Sequence, residues 1–377
     1  MIRYIAAECP ELWDEPPGDI INVNNGLLNV VTRELLPHSP EHLSSVRIPI
    51  TYDPFAKCPE WDRFNAGIFP ADSIQIAWEI TYWLMNPDRT IQQAVLFQGE
   101  GSNGKSTYLE ANRRAIGRGN TASMPLQRLE ADRFAAAALF GKLANICPDL
   151  PSQGLTGTSV FKTITGGDYL QAEYKFKDSF SFRPYCKLIF SANRMPQSPD
   201  DSHAFFRRWT VIPFANQFDE NDSRTLSQDV LLQKLTAPAE LSGLLNRALD
   251  AGDQLRKERH FTIGPSIAEA NTEFRRATDP FSVWLEANTV LAATGYILQT
   301  ELRNKYAEVC TQAGRAAPSA KAITAMLRSI RPGVELKQKR LEKTNPWAYF
   351  GIAWMTEEKP PLDLNTSHWT DRYESFN

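Results

Sequence analysis

Residues 97–107 read FQGEGSNGKST, and within them Gly99 to Ser106 follow the spacing GxxxxGK[ST]. Glycines in such a run let the backbone curl, so that successive N–H groups face inward and can cradle phosphate oxygens. Lys105 is then placed to reach the β- and γ-phosphates of a nucleotide, and the Ser106 hydroxyl to ligate Mg²⁺. The alternative is a glycine turn that holds nothing, and context argues against it. AVLF (94–97) directly before is a buried-strand run, and STYLEANRRAI (106–116) directly after has helical periodicity, which gives the strand–loop–helix setting the spacing requires. A chance match in a chain of 377 residues is on the order of one in a hundred from residue frequencies. The helix start adds its positive end to the same place.

A phosphate loop alone implies only that a nucleotide binds; hydrolysis also needs a carboxylate near Mg²⁺ and a group that places water. Two later apolar runs end in such residues. KLANICPDLP (142–151) ends in Asp149, and KLIFSANRMP (187–196) carries Asn193 just past its apolar stretch. Beyond them AFFRRWTVIPF (204–214) sets Arg207 and Arg208 among aromatics, a place for an arginine finger acting in trans on a neighbouring subunit's nucleotide, the alternative being a pair of surface salt bridges.

Composition bounds the rest. Hydrophobic residues make up 42% and charged residues 23% of the chain, globular values, and no apolar run is long enough to span a bilayer. The opening MIRYIAAECPELWDE lacks the basic start and apolar stretch of an export signal. The five cysteines (Cys9, Cys58, Cys147, Cys186, Cys310) are scattered without a CxxC pair. That argues against a disulfide framework and a structural zinc site, and fits a reducing cytoplasm. Lys plus Arg (41) nearly balance Asp plus Glu (44), for a formal net charge of −3. Any nucleic-acid contact must therefore come from basic groups concentrated on one surface, loop or channel.

Along the chain, 1–88 reads as a small α/β subdomain, with a hairpin turn at Asn25-Gly26 and a helix over 74–84. From 89 to 220, short apolar runs alternate with helical or turn-rich segments, the pattern of an α/β layer on a buried parallel sheet. A helical extension over 221–278 follows, then a winged-helix-like stretch (279–356) with helices FSVWLEAN, QTELRNKYAEVCTQAG and SAKAITAMLRSI and strands VELKQKRLEK and WAYFGIAW. A polar tail occupies 357–377. Trp347, Tyr349 and Trp354 read as core packing.

The ordered set GEGSNGKST, ANICPDLP, FKTITGGDYLQAEYKFKDSFSFRP, KLIFSANRMP and FFRRWTVIPF resembles the superfamily 3 helicases of the phage and plasmid primase–helicase type, relatives of poxvirus primase–helicases. NVNNGLL, LLPHSP and YDPFAKCP resemble the small domain before the ATPase in those proteins, and FGIAW the end of their winged-helix tail, so the resemblance runs from about Asn22 to Trp354. It implies a P-loop NTPase core of AAA+-like architecture with an N-terminal subdomain and a C-terminal winged helix, using ATP and Mg²⁺. On that pattern Gly99, Glu100, Gly101, Ser102, Asn103, Gly104, Lys105, Ser106 and Thr107 form the Walker A loop, Asp149 is the Walker B acid, Asn193 is sensor 1 and Arg208 (or Arg207) is the finger. Ser106 and Asp149 would hold the metal. The segment from FKTITGGD to YKFKD matches the region that forms a DNA-contacting hairpin, with Lys162, Lys175 and Lys177 as backbone-binding cations. In the winged-helix stretch Lys321, Arg328, Arg331, Lys337, Lys339, Arg340 and Lys343 are basic.

One departure concerns Walker B, where many relatives show two adjacent acids and this chain has Pro148 before a lone Asp149. Asp168 and Glu100 become candidates for polarising the water. No paired-acid metal site precedes the Walker loop, so priming activity is not expected; a primase or polymerase would be a partner or an upstream fused domain. The resemblance implies a hexameric ring acting on single-stranded and forked DNA during phage, viral or mobile-element replication, without a membrane. The rival readings are an ATP-gated origin- or promoter-binding protein without unwinding activity, and a small-molecule P-loop kinase.

Overall fold

The computed structural model describes residues 16–42, 44, 46–151, 153–193, 198, 200, 202–219, 226–278, 280–312, 316–341 and 344–355. Two compact units divide the chain, Met1–Phe274 and Arg275–Asn377.

The first unit is built on five parallel strands: β4 (Ala94–Gln98), β5 (Thr121–Ala122), β6 (Ala144–Cys147), β9 (Lys187–Ala192) and β10 (Trp209–Pro213). Their order across the sheet is β10-β4-β9-β6-β5, so β9 lies between the strand that feeds the glycine-rich loop and the strand that leads to Asp149. Being parallel, all five end at one edge, called here the carboxyl edge.

The strands read as unbroken apolar runs because both faces are covered. Alternate residues feed two cores. Val95, Phe97, Ile146, Ile189 and Ile212 face one, with helices α1 (Pro59–Ile68), α2 (Ile74–Met85), α3 (Lys105–Ile116) and α8 (Pro238–Glu258) contributing to it. Leu96, Cys147, Leu188, Phe190 and Val211 face the other, with residues of α4 (Leu126–Ala131), α5 (Ser159–Gly166), the antiparallel hairpin β7 (Leu170–Glu173) and β8 (Ser179–Phe182), and α9 (Pro265–Thr278). Asn145, a polar residue in the middle of β6, is fully buried because its amide pairs with both backbone groups of Met124, at 2.7 and 2.9 Å.

The Asn25-Gly26 turn signal corresponds to a hairpin of β1 (Ile20–Val23) and β2 (Gly26–Asn29), extended by β3 (Leu35–Leu36); Asn24 and Asn25 make the turn. Ile21, Val23 and Leu28 of this sheet share the core under α2 and β4. Helix α2 is apolar nearly all round, as a helix inside a core must be. Its one acid, Glu79, is buried and accepts from the Thr262 amide (2.8 Å) and hydroxyl (2.6 Å).

Trp61 on α1 packs edge-on against Tyr108 and Phe64, and its indole N–H donates at 2.8 Å to the carbonyl of Leu235, the last residue of α7 (Gln228–Leu235). Trp61→Ala removes this volume and orphans the carbonyl. It should cost about 3–5 kcal/mol of stability, read as a lower urea midpoint with an unchanged slope.

The second unit runs α10 (Pro280–Asn288), β11 (Thr289–Leu298), α11 (Gln299–Gln312), α12 (Ala320–Ile330), β12 (Glu335–Gln338) and β13 (Trp347–Trp354), with β13 central in an antiparallel sheet. Phe281, Leu285, Ile297, Leu302, Ile323, Leu327, Tyr349 and Ile352 form its core. Tyr349 is buried and Trp354 packs on Trp284, but Trp347 is half exposed, a correction to its reading as core. Strand β11 gives no clear period in sequence because its register slips between Leu291 and Tyr296. Lys343 and the tail lie outside the described residues.

Candidate functional site

The loop 99–104 leaves the carboxyl edge after β4 and opens α3, so the first helical N–H groups face the same space. Two glycines are required by close approach. A Cβ on Gly99 would sit 2.5 Å from the Phe214 carbonyl oxygen, and one on Gly104 would sit 2.6 Å from Ile68 Cγ2, at a φ of +84° that favours glycine. Asn103 braces the curl. Its buried amide donates to the carbonyls of Glu100 and of Phe214, the latter at 3.4 Å, and its oxygen accepts from Lys105.

Lys105 is only 5% exposed. Its ammonium donates to Gly99 O (2.6 Å), Glu100 O (3.1 Å) and Asn103 Oδ1 (2.9 Å), which engages all three donors with the loop itself. Burial pushes its pKa down to about 8. A phosphate held in the loop would favour the charged ammonium, so binding above about pH 8 takes up a proton. Nucleotide affinity is therefore expected to be flat at neutral pH and to fall by up to tenfold per unit above about pH 8, measured by titrating a fluorescent nucleotide at constant ionic strength.

Asp149 and Asn193 lie at this same edge. Asn193 follows the last residue of β9, whose Ala192 carbonyl accepts from Gly99 N at 3.4 Å. Asp149 is exposed two residues past β6, and the next amide, Leu150 N, donates to Ser191 O at 2.7 Å. Arg113 of α3 reaches the Ile146 carbonyl at 2.7 Å, which ties the loop's helix to the Asp149 strand. Ser106 is exposed on the first turn of α3. One hydroxyl and one carboxylate, both facing solvent, suit Mg²⁺, a cation that keeps several waters and is shared with substrate phosphates.

The two arginines are at the opposite, amino edge. They precede β10, and the Arg208 carbonyl accepts from Ala94 N at 2.6 Å, where β4 begins. The whole of β4, five residues or about 16 Å at the usual strand rise, separates them from their own chain's loop. Arg207 is exposed. Arg208 is half buried, donates to the Ala204 carbonyl at 2.5 Å, and leaves its Nε without a hydrogen-bond partner. Burial lowers its pKa, Arg207 acts in the same direction, and Asp168 and Asp200 oppose them. Asp168 stands beside Arg208 here, not by the phosphate loop, so its candidacy for polarising water at its own chain's loop does not survive the geometry. Glu100 remains in the loop, exposed.

The basic residues of the hairpin region separate. Lys175 and Lys177 sit together in the exposed turn between β7 and β8. Lys162 is not on the hairpin. It lies on α5, ion-paired with Asp200, which also accepts from Thr158 Oγ1 and from Ser202 N at 3.0 Å. Burial pushes the Asp200 carboxyl up, but the bonds from Lys162, Ser202 and Thr158 outweigh it and hold its pKa down to about 2. FKTITGG is a helix because Phe161, Ile164 and Thr165 share a buried face and Gly167 caps its end in the left-handed conformation. Among the described residues no group of three or more His, Cys, Asp or Glu could hold a metal, and no helix is long and apolar enough to cross a membrane.

Comparison with known proteins bears on the fold and the family. Residues 97–208 match a profile described as "Family of unknown function (DUF5906)", and residues 1–70 match one described as "D5 N terminal like". The chain is 29% identical over 134 residues to "Putative helicase L207/L206" of Acanthamoeba polyphaga mimivirus, covering 34% of this chain and 14% of that protein. It is 28% identical over 148 residues to "Putative helicase 184R" of Invertebrate iridescent virus 6, covering 36% of this chain and 15% of that protein. The matched stretch is thus a small part of either relative. Among solved structures, the apo A form of the NrS-1 C-terminal region superposes with a TM-score of 0.53 at 14% identity, over 93% of this chain and 88% of that one. The chain therefore has the fold of that C-terminal region, a parallel-sheet α/β core, and sequence similarity to viral proteins named as helicases.

Proposed function

We propose that this protein is an ATP-dependent DNA helicase of the superfamily 3 type that works as a ring, translocates on single-stranded DNA and unwinds forked duplex in viral, phage or mobile-element replication. The observation that carries this is the division of the sheet. One edge gathers the phosphate loop, Asp149 and Asn193, the other presents an exposed arginine, and a separate hairpin carries two exposed lysines at its turn. A small-molecule kinase has no use for that second edge or for the hairpin lysines.

On this reading the loop amides and Lys105 bind the phosphates of ATP, and Ser106 and Asp149 hold Mg²⁺, which neutralises phosphate charge when bound. Asn193 orients the γ-phosphate or the attacking water. Arg207 is the finger supplied to the neighbouring subunit, and Arg208 positions it by fastening the α6 turn (His203–Phe206) through the Ala204 carbonyl. We read the second unit as a winged helix from its order of helices and strands, with Lys321 and Arg328 exposed on α12 for duplex phosphates.

The test is unwinding of a fork with a single 3′ or 5′ tail, alongside particle sizing with ATP. Tail-dependent unwinding by a ring, favouring the 3′ tail, is expected. DNA-indifferent hydrolysis by a monomer would sink the proposal. Lys175→Ala with Lys177→Ala should abolish stimulation by DNA, lower the magnitude of the salt slope of DNA binding, and leave basal hydrolysis within about twofold, the ordinary size of a distant surface effect.

A further inference from the structure

The turn that carries the two lysines also carries an aromatic ring in an unusual setting. Phe176 is 92% exposed and its backbone has a φ of +65°, the left-handed region where glycine or asparagine is the usual occupant. It is the third residue of a turn closed by Lys177 N donating to Tyr174 O at 2.9 Å. Burial does not hold the ring there, and neither does backbone preference.

The turn begins on an aromatic stack. Tyr174 stacks on Phe180 (5.3 Å between centroids, 18° between planes), Phe180 on Phe182 (5.7 Å), and Phe140 abuts both phenylalanines at 5.3 Å. The Lys175 ammonium lies over the Phe176 ring at 5.1 Å and that of Lys177 over Tyr174 at 5.7 Å. Loop 174–178 thus offers two ammonium groups, one carboxylate (Asp178) and a solvent-exposed aromatic ring, while Glu173 below it is paired with Arg133 at 3.5 Å.

We propose that Phe176 stacks on a base of single-stranded nucleic acid whose phosphates are held by Lys175 and Lys177. Charge selects the occupant: an anionic chain with planar faces satisfies both the ammonium groups and the ring, whereas a second copy of this chain would have to supply acids and an apolar seat together. The inference rests on the reading of the hairpin as the DNA-contacting element and adds base contact to it. Stacking tolerates any sequence because every base has a π-face, as a translocating protein needs.

The test measures anisotropy of labelled oligothymidine and of an abasic chain of equal length, with the full-length protein, Mg²⁺ and a non-hydrolysable ATP analogue. Phe176→Gly removes the ring and suits the backbone, so it should melt no lower than wild type. It is expected to weaken oligothymidine binding roughly tenfold, leave the abasic chain's affinity and the salt slope unchanged, and keep the particle size. Phe176→Trp should be quenched by oligothymidine and not by the abasic chain. Wild-type affinity of Phe176→Gly for both chains would overturn the inference and leave the lysines as the whole contact. A changed particle size with unchanged DNA affinity would place the ring against another copy and overturn it too. Failure of the wild type to bind either chain would instead remove the helicase reading on which it stands.

Discussion

Lys105→Ala is expected to lower steady-state ATP hydrolysis by at least a hundredfold, the usual cost of deleting a preorganised charge at a phosphoryl-transfer site. The loss should appear with and without single-stranded DNA. Folding should survive, because the ammonium is bound only to three acceptors of a surface loop, and the carbonyls it leaves can take water. Hydrolysis that persisted in this variant would mean that the loop at 99–104 is not the motor's phosphate site. Hydrolysis that vanished but had never responded to DNA would keep the nucleotide site and favour a kinase or an unassembled ring.

The second large effect is expected at Arg207. If it completes a neighbour's site, Arg207→Ala should cost about a thousandfold in hydrolysis, the lower end of what an arginine finger contributes. A mixing experiment separates this from a local role. Arg207→Ala chains keep an intact loop and Lys105→Ala chains keep an intact arginine, so co-assembly creates some complete sites and activity should return on mixing. No recovery, in a mixture shown by sizing to be co-assembled, would place the arginine's action within its own chain. The distance along β4 argues against that outcome.

Much of the candidate nucleotide site was legible because its signals are local. The glycine spacing, the apolar runs of β4, β6, β9 and β10, and the Asp149 and Asn193 that follow two of them can be read without knowing what packs against what. The strands read clearly because both faces are buried, so no alternation dilutes them. Strand β5 is only two residues long and leaves no such trace. Lys162 lies on a helix and not on the hairpin because the helical spacing of Phe161, Ile164 and Thr165 buries one face, a signal that the resemblance of the whole segment masks. Its partner Asp200 is far away in sequence, and no local pattern announces that pair. Asn103 as a brace and Phe176 as an exposed ring were equally hidden: between two lysines, a phenylalanine reads as one more inward residue of an alternating strand. The split of Arg207 from Arg208 depends on which one reaches the Ala204 carbonyl, which neighbouring positions in a sequence do not reveal.

Opposite edges of one sheet holding the loop and the arginine carry a consequence for inheritance. On the proposed reading a mutant loop spoils the site it belongs to but still lends its arginine next door, whereas a mutant arginine leaves its own pocket sound and damages someone else's. Two kinds of defective allele would then each cost one site per mutant subunit, but at different positions in the ring. Both would poison mixed rings formed with wild-type product, and each would complement the other in a co-infected cell where neither supports replication alone.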